Sequence, residues 1–190
     1  DQINNIIGFF SYILTAMHCV FENNENSIKI RVGQHNIQDP QPFLQVEKII
    51  KRSDYDSVNQ YNDIALIKLK QPVKYSKIIS PVCLPSSDVK DPQGLFVAGW
   101  GRTDESGPVS NALLEVNLPN YSLAQCKNKY QGLITDKHIC AGGNEGEDAC
   151  QGDSGGPLTA RINNRVNAVG VVSWGMGNLF QLILYDSIII

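Results

Sequence analysis

The sequence predicts an all-β fold, and three features of the chain support that prediction. Short runs rich in β-branched and aromatic residues recur between segments of turn-forming residues. No internal repeat, coiled-coil heptad or low-complexity tract interrupts them. At 190 residues, the chain is long enough for one domain with a sizeable core. The β-prone runs are 28–32, 64–69, 95–98, 112–118 and 166–172, and the clearest turn-rich linkers are 86–94 and 104–110.

The charge and hydropathy patterns exclude several classes of partner. Sixteen basic and nineteen acidic residues give a net charge of −3, without a basic cluster that would bind nucleic acid or an anionic membrane. No run of 18 apolar residues occurs, so we expect no transmembrane helix. The first residues lack the basic and apolar regions of a signal peptide. We therefore expect any secretion signal to lie outside this chain.

The segment from Gly152 to Gly156 contains the pattern G-x-S-x-G, with Ser154 at its centre. Glycines on both sides allow the backbone to turn sharply and to approach a substrate closely, as a nucleophilic serine requires. They also leave backbone N–H groups available for a developing oxyanion. Alone, the pattern is equally compatible with a glycine-rich turn, so its meaning depends on a base and an acid elsewhere.

The candidate bases are the three histidines of the chain, His18, His35 and His138, and all of them precede Ser154. In α/β-hydrolases, which share the serine pattern, the histidine follows the serine, so this order excludes that class and favours the order His, Asp, Ser. His18 ends an apolar, β-prone run, where a half-buried imidazole can be held in one tautomer as a general base. The alternative for His18 is a structural core histidine. We expect His35 to lie in a turn and His138 to be exposed.

Asp63 is the candidate acid, because it opens the strongly apolar run that ends at Leu69. A carboxylate at the start of such a strand is expected to be partly buried and to need a hydrogen-bonding partner. An imidazole N–H would supply one. Backbone N–H groups at the strand start are the alternative.

Six segments of the sequence form one set: YILTAMHCV, NDIALIKL, VAGWGRT, HICAGG, DACQGDSGGPL and VVSWG. Together they resemble the signature blocks of trypsin-like serine proteases of the chymotrypsin family. They stand in the family's order, with 45 residues from His18 to Asp63 and 91 from Asp63 to Ser154. The match covers roughly residues 12–177 of a single peptidase domain that spans residues 1–190. The resemblance implies two packed six-stranded antiparallel β-barrels with the active site between them.

The resemblance also implies a role for each matching residue. His18, Asp63 and Ser154 would form the catalytic triad. The backbone N–H groups of Gly152 and Ser154 would form the oxyanion hole. Residues Ser173, Trp174 and Gly175 would bind substrate, with Ser173 also lying behind the acid and the backbone accepting the substrate as an added strand.

Asp148 is the expected determinant of specificity. It lies six residues before Ser154, where trypsin-like members place the acid at the base of the primary pocket. A buried carboxylate there favours substrates with Arg or Lys before the cleaved bond. The alternative is an exposed loop acid that follows Glu147.

The five cysteines fit the family pattern only in part. Cys126 and Cys140 match a family pair and are expected to form a disulfide. Cys19 and Cys150 match cysteines whose usual partners have no counterpart in this sequence, a loss that typically costs about 2–5 kcal/mol for each bridge. Cys83, within Pro-Val-Cys-Leu-Pro, resembles the cysteine that joins a protease domain to a regulatory domain in arthropod clip-domain proteases. A free, partly buried thiol is the alternative.

Both ends depart from the family pattern. Activated members begin with an Ile-Val-Gly-Gly-like segment whose ammonium pairs with the aspartate before the nucleophile, whereas this chain begins Asp1-Gln2-Ile3. We therefore expect Asp153 to lack a partner and the oxyanion hole to be perturbed. Residues 178–190 match neither the strand nor the helix expected there, which predicts a divergent tail. The chain is accordingly interpreted as truncated or degenerate at both ends.

The sequence therefore predicts a secreted serine endopeptidase that cleaves after Arg or Lys, acting in a zymogen-activation cascade. Its expected partners are protein substrates, serine-protease inhibitors and a regulatory domain attached through Cys83. The alternative is a catalytically impaired homologue that acts as a binding or regulatory module. We expect no cofactor and no metal, and Gln34, at a position where calcium-binding members carry a carboxylate, predicts no calcium site.

Overall fold

The computed structural model describes residues 6–8, 11–86, 89, 94–103, 107–142, 152–176 and 179–184. These residues form eleven strands and one helix. In chain order they are β1 (Ile6–Gly8), β2 (Tyr12–Thr15), β3 (Val46–Lys51), β4 (Ala65–Leu69), β5 (Leu95–Gly99), β6 (Leu114–Leu118), β7 (Asn120–Tyr121), α1 (Leu123–Lys129), β8 (His138–Gly142), β9 (Pro157–Ile162), β10 (Arg165–Met176) and β11 (Leu179–Leu184).

The first sheet brings the end of one strand to the start of another. It is antiparallel, with the order β1-β2-β4-β3. Along β4, fully buried positions alternate with half-buried ones, as the two-residue period of a strand dictates. Ile13, Ile67 and Leu69 are at most 2% exposed in the core of this sheet. Because Thr15 pairs with Ala65, the residues just after β2 lie next to those just before β4.

The second sheet has seven strands in the order β6-β5-β9-β10-β11-β8-β7. Its core contains Leu95, Leu158 and Val169, each at most 1% exposed. The loop that carries Ser154 leads directly into β9, and Pro157 at the start of β9 pairs with Val171 in β10. This register places the loop beside the centre of β10.

An apolar cluster joins the two sheets. Leu14 and Ile64 come from the first sheet, whereas Ala168 and Val171 lie on β10, and all four are buried. Burial of such side chains contributes roughly 1.5–3 kcal/mol for each large aliphatic residue. The contact holds the edge containing residues 16–18 and 63 against the part of β10 that follows Val171.

Helix α1 is fixed at its N-terminus and at its middle. The side chain of Ser122 caps its N-terminus by accepting a hydrogen bond from the Gln125 N–H at 3.3 Å. At the middle of the helix, the buried Cys126 forms a disulfide with Cys140 in β8. The bridge closes a short loop and ties the helix to the second sheet.

The all-β class is confirmed, since the described part of the chain contains one short helix and eleven strands. The described strands pair as open sheets of four and seven and form no closed barrel, so the two six-stranded barrels remain a prediction. The predicted runs 64–69, 95–98 and 166–172 fall in β4, β5 and β10, and 112–118 largely coincides with β6. The run 28–32 is not a strand, because within it only Ile30 is paired, in an isolated bridge with Leu44.

The tail that matched no family element contributes a strand. Residues 179–184 form β11, which pairs with β10 on one side and β8 on the other. The helix in the described ranges, α1, is too short to cross a bilayer.

Candidate active site

The pairing of β2 with β4 places His18 against Asp63. The Nδ1 atom of His18 lies 2.7 Å from Oδ2 of Asp63, and the backbone N–H of His18 donates to Oδ1, also at 2.7 Å. Ser173, which lies in β10, donates from its Oγ to Oδ2 of Asp63 at 2.5 Å. Asp63 is fully buried, yet both of its oxygens are hydrogen-bonded. Since a carboxylate only accepts, Nδ1 carries the proton and the His18 tautomer is fixed.

A tight turn delivers Asp63 to this position. Gln60 and Asn62 have positive φ angles of 54° and 56°, a conformation that asparagine tolerates better than most residues. The side-chain amide of Asn62 donates to the carbonyl of Asp54 at 2.8 Å, and its own carbonyl accepts from the Ile64 N–H. The turn thus aims the carboxylate inward before β4 begins.

The pKa of His18 is set by opposing influences. Burial alone would lower it, because desolvation disfavours the charged ring. Hydrogen bonds to Asp63 and to Cys19, together with electrostatic interactions with the same two residues, outweigh burial and raise the pKa from 6.5 to about 10. The imidazolium is therefore strongly stabilised in this arrangement.

The loop that carries Ser154 is fixed through backbone hydrogen bonds. The N–H of Gly155 donates to the carbonyl of Val172 at 2.8 Å, and the N–H of Val172 donates to the carbonyl of Gly156 at 2.9 Å. Gly152 and Gly155 have φ angles of +108° and +78°, which side chains of L-residues rarely adopt. The serine is half-buried between these glycines and lines the same cleft as His18.

The expectation that Asp153 lacks a partner is wrong. Asp153 is 7% exposed, and its Oδ1 accepts a hydrogen bond from the Gly101 N–H at 2.8 Å. A Cβ on Gly101 would collide with this carboxylate, and a Cβ on Gly152 would lie 3.0 Å from Gly101 Cα. The aspartate is therefore packed against a glycine of the VAGWGRT segment, which anchors the loop just before the serine.

The cleft has a volume of about 770 Å³ and combines polar and aromatic walls. Besides His18 and Ser154, it is lined by Phe21, Tyr55 and Trp100. Burial, followed by the charges of Asp63 and Cys19, raises the pKa of Tyr55 to about 12, so its phenol stays protonated. Such a wall suits the side chains of an extended peptide.

The predicted substrate-binding residues lie on β10. Ser173 is 3% exposed and its hydroxyl is hydrogen-bonded to Asp63, whereas Trp174 and Gly175 are half-buried. The pairing of β10 with β9 ends at Val171, whereas Trp174 and Gly175 pair with residues of β11. The opposite edge of β10 at these two residues is thus not covered by β9.

The remaining predicted residues have different outcomes. Asp148 and Cys150 lie outside the described residues. Cys126 and Cys140 form a disulfide, whereas Cys19 and Cys83 are free and half-exposed.

The predicted exposure of His138 is wrong. The residue is 3% exposed, because it begins β8, and its ring lies 6.2 Å from that of Tyr61, centroid to centroid.

Sequence reasoning did not anticipate two contacts. Cys19 Sγ lies 3.5 Å from Nε2 of His18, the ring nitrogen that faces away from Asp63. Because Cys19 directly follows His18 in the sequence, their adjacency could have indicated this contact. The contact between Asp153 and Gly101 joins residues 52 positions apart and had no local signal. Within the described ranges, no group of three or more His, Cys, Asp and Glu side chains is arranged to hold a metal ion.

Comparison with known proteins gives matches over most of the chain. The Trypsin family profile matches residues 6–179. Trypsin-2 of Salmo salar is 39% identical over 171 residues, which cover 88% of this chain and 71% of that protein. The serine proteinase stubble of Drosophila melanogaster is 37% identical over 180 residues, 88% of this chain and 23% of that protein. The clotting factor G beta subunit of Tachypleus tridentatus is 40% identical over 186 residues, 86% of this chain and 59% of that protein.

Proposed function

The chain belongs to the trypsin family and is a serine endopeptidase, and we propose that it cleaves peptide bonds after Arg or Lys with His18, Asp63 and Ser154 as its triad. One observation carries the assignment of residues. A fully buried, hydrogen-bonded Asp63 holds the ring of His18, and that ring opens into the cleft lined by Ser154. This combination supports the proposal of an oriented base in the same cleft as a serine on a glycine turn.

In the proposed reaction, Ser154 Oγ attacks the carbonyl carbon of the scissile bond while His18 Nε2 takes its proton. Asp63 keeps the ring in place and stabilises the imidazolium, and Ser173 holds the carboxylate from the far side. The N–H groups of Gly152 and Ser154 would bind the oxyanion. His18 then returns the proton to the leaving amine, and water releases the acyl group by the same steps.

The proposed substrate adds as a strand to β10 at Trp174 and Gly175, on the edge that β9 does not cover. Asp148 would pair with the Arg or Lys side chain of the substrate, for which a guanidinium offers two parallel hydrogen bonds. This selectivity is the finer part of the proposal.

Trypsin-like proteases act on protein substrates and are regulated by serine-protease inhibitors, and the proposed setting of this chain follows from that. We propose that it is secreted and acts in a zymogen-activation cascade. The Cys126–Cys140 disulfide supports an oxidising compartment. Cys83 is free and half-exposed, and its backbone is hydrogen-bonded to Val166 and Ala168 on β10. Its partial exposure supports the proposal that Cys83 joins a regulatory domain.

One observation favours a second candidate, a catalytically impaired homologue that binds proteins. Nε2 of His18 contacts Cys19, and the pKa of the ring is raised to about 10. A ring that is protonated at neutral pH cannot accept the proton of Ser154. Slow turnover with retained peptide binding would then be the result.

The test is hydrolysis of chromogenic peptides that carry Arg, Lys or Gln before the cleaved bond. We expect the Arg and Lys peptides to be cleaved and the Gln peptide to be resistant. Ser154→Ala should lower the rate by at least ~10⁴-fold. Equal, negligible rates for the parent chain and Ser154→Ala would favour the impaired homologue.

A matched pair of variants tests the specificity. Asp148→Asn should abolish the preference for Arg and Lys, whereas Glu147→Gln, the neighbouring acid, should leave it unchanged. Similar preferences in both variants would remove Asp148 from the pocket. Labelling with a serine-directed fluorophosphonate reports in parallel whether Ser154 is activated.

A further inference from the structure

Cys19 carries a free thiol inside the candidate active site. It is half-exposed and lines the cleft together with His18 and Ser154. Its Sγ lies 3.5 Å from Nε2 of His18, which is the nitrogen that the proposed reaction needs. The proposed function does not use this cysteine.

A proton acceptor lies beside the Cys19 thiol. Asp63 fixes the proton on Nδ1, so Nε2 of the neutral ring is an acceptor pointing at the sulfur. Transfer of the thiol proton gives a thiolate beside an imidazolium, and Asp63 stabilises that imidazolium. This arrangement makes a cysteine nucleophilic in proteins.

A buried hydroxyl on the inner side of the cysteine adds a second observation. Thr15 is fully buried, and its Oγ1 has no hydrogen-bond partner among the described residues. A Cβ on Gly155 would collide with this Oγ1 and would lie 3.1 Å from Cys19 Sγ. The hydroxyl and the sulfur thus meet at the same glycine, where an unpaired donor can stabilise negative charge on sulfur.

We propose that Cys19 is a thiol–disulfide exchange site for small disulfides that enter the cleft, and that the mixed disulfide blocks His18 and Ser154. The exchange site itself stands on the contacts of Cys19, whereas the block rests on the proposed function. The disulfide between Cys126 and Cys140 fits an oxidising compartment, and we propose that small disulfides in that compartment are the co-reactants.

The chemistry is an exchange without net oxidation of the two partners together. His18 Nε2 takes the thiol proton, and the Cys19 thiolate attacks one sulfur of a disulfide R–S–S–R. A new S–S bond forms between Cys19 and one R–S group, the old S–S bond breaks, and the other group leaves as R–S⁻. That thiolate takes the proton from His18 and departs as R–SH. Excess R–SH reverses the reaction.

The test exposes the intact chain to glutathione disulfide at neutral pH and maps the modified cysteines by mass spectrometry. Cys19 should react at least ~10-fold faster than Cys83. Cys83 is also free and half-exposed, but its hydrogen bonds are made by its backbone to β10. His18→Ala should remove this advantage. Equal rates at Cys19 and Cys83, or an unchanged rate in His18→Ala, would overturn the exchange site.

Fluorophosphonate labelling of Ser154 separates the two parts of the proposal. Labelling should fall in proportion to modification of Cys19 and return when reduced glutathione is added. Cys19→Ser should make labelling insensitive to glutathione disulfide, whereas Cys83→Ser and Cys150→Ser should keep the sensitivity. Modified Cys19 with undiminished labelling would overturn the block. If the untreated chain is never labelled, the proposed function fails, and the rate at Cys19 still decides the exchange site.

Discussion

His18 and His138 both place an imidazole against the protein interior, yet their pKa values move in opposite directions. At His138, burial dominates and lowers the pKa. Its Nδ1 accepts from the Thr135 N–H at 3.0 Å, and its Nε2 is buried and has no hydrogen-bond partner among the described residues. At His18, the partner is the Asp63 carboxylate, and the pKa rises to about 10.

The contrast shows that burial alone makes a histidine a neutral structural group. An ionised partner on one ring nitrogen reverses the effect and keeps the other nitrogen able to hold a proton. The difference comes from the fold, since His18 follows β2 beside the start of β4, whereas His138 begins β8 next to the neutral ring of Tyr61. The fold therefore stabilises the charged ring of His18 and the neutral ring of His138.

The change Asp63→Asn should make the surroundings of His18 resemble those of His138. We expect kcat/KM to fall by about 10⁴-fold, the size established for this change in Ser-His-Asp triads, because an amide cannot stabilise the imidazolium and favours the wrong tautomer. The pKa of His18 should fall from about 10, because the hydrogen bond and the charge of Asp63 no longer raise it. Initial rates and an NMR titration of the ring measure the two effects.

Asp54→Asn is the matched control for that change. Asp54 lies near the same turn, but its side chain is exposed and pairs with Arg52, so the rate should stay within about twofold. A fall of less than tenfold in Asp63→Asn would contradict the importance of the ionised partner.

The two histidines should also give the stability of the protein opposite pH dependences. Folded His18 keeps its proton up to about pH 10, whereas the unfolded chain releases it near 6.5. Its stabilisation is thus complete below 6.5 and is lost as the pH rises through 10. Urea unfolding of Ser154→Ala, which avoids self-cleavage, should show a decline of a few kcal/mol over this range. The double variant with Asp63→Asn should lack most of the decline, and an equal decline in both would exclude His18 as its source.

His138 should cause the smallest effect, and it should act at acidic pH. Its folded pKa lies below 6.5, so the unfolded chain binds the proton more readily, and stability is lost as the pH falls below that value. In His138→Asn, the side-chain oxygen can take over the hydrogen bond from the Thr135 N–H without titrating. We expect the variant to lose less of its unfolding free energy than the parent on acidification, by under ~1 kcal/mol. An unchanged acid sensitivity would show that other groups control it.

The sequence indicated the all-β class and the candidate triad because both depend on short patterns. The order of His18, Asp63 and Ser154 along the chain, and the glycines around the serine, can be read directly from the sequence. The burial of His138 and the support of Asp153 by Gly101 could not be predicted, because each depends on which distant segments pack together. The contact between Cys19 and Nε2 depends on ring orientation, which Asp63 sets from 45 residues away.

The start of β9 has a consequence for access to β10. Pro157 pairs with Val171, and the two residues that precede it, Gly155 and Gly156, are hydrogen-bonded to Val172 of β10. Gly155 has a positive φ, and the chain on its N-terminal side turns away from β10. Proline at the first position of a strand has no N–H to donate, so it suits a place where pairing stops. Among the described residues, no strand pairs with this edge of β10 beyond Val172, and the proposed substrate strand would bind there.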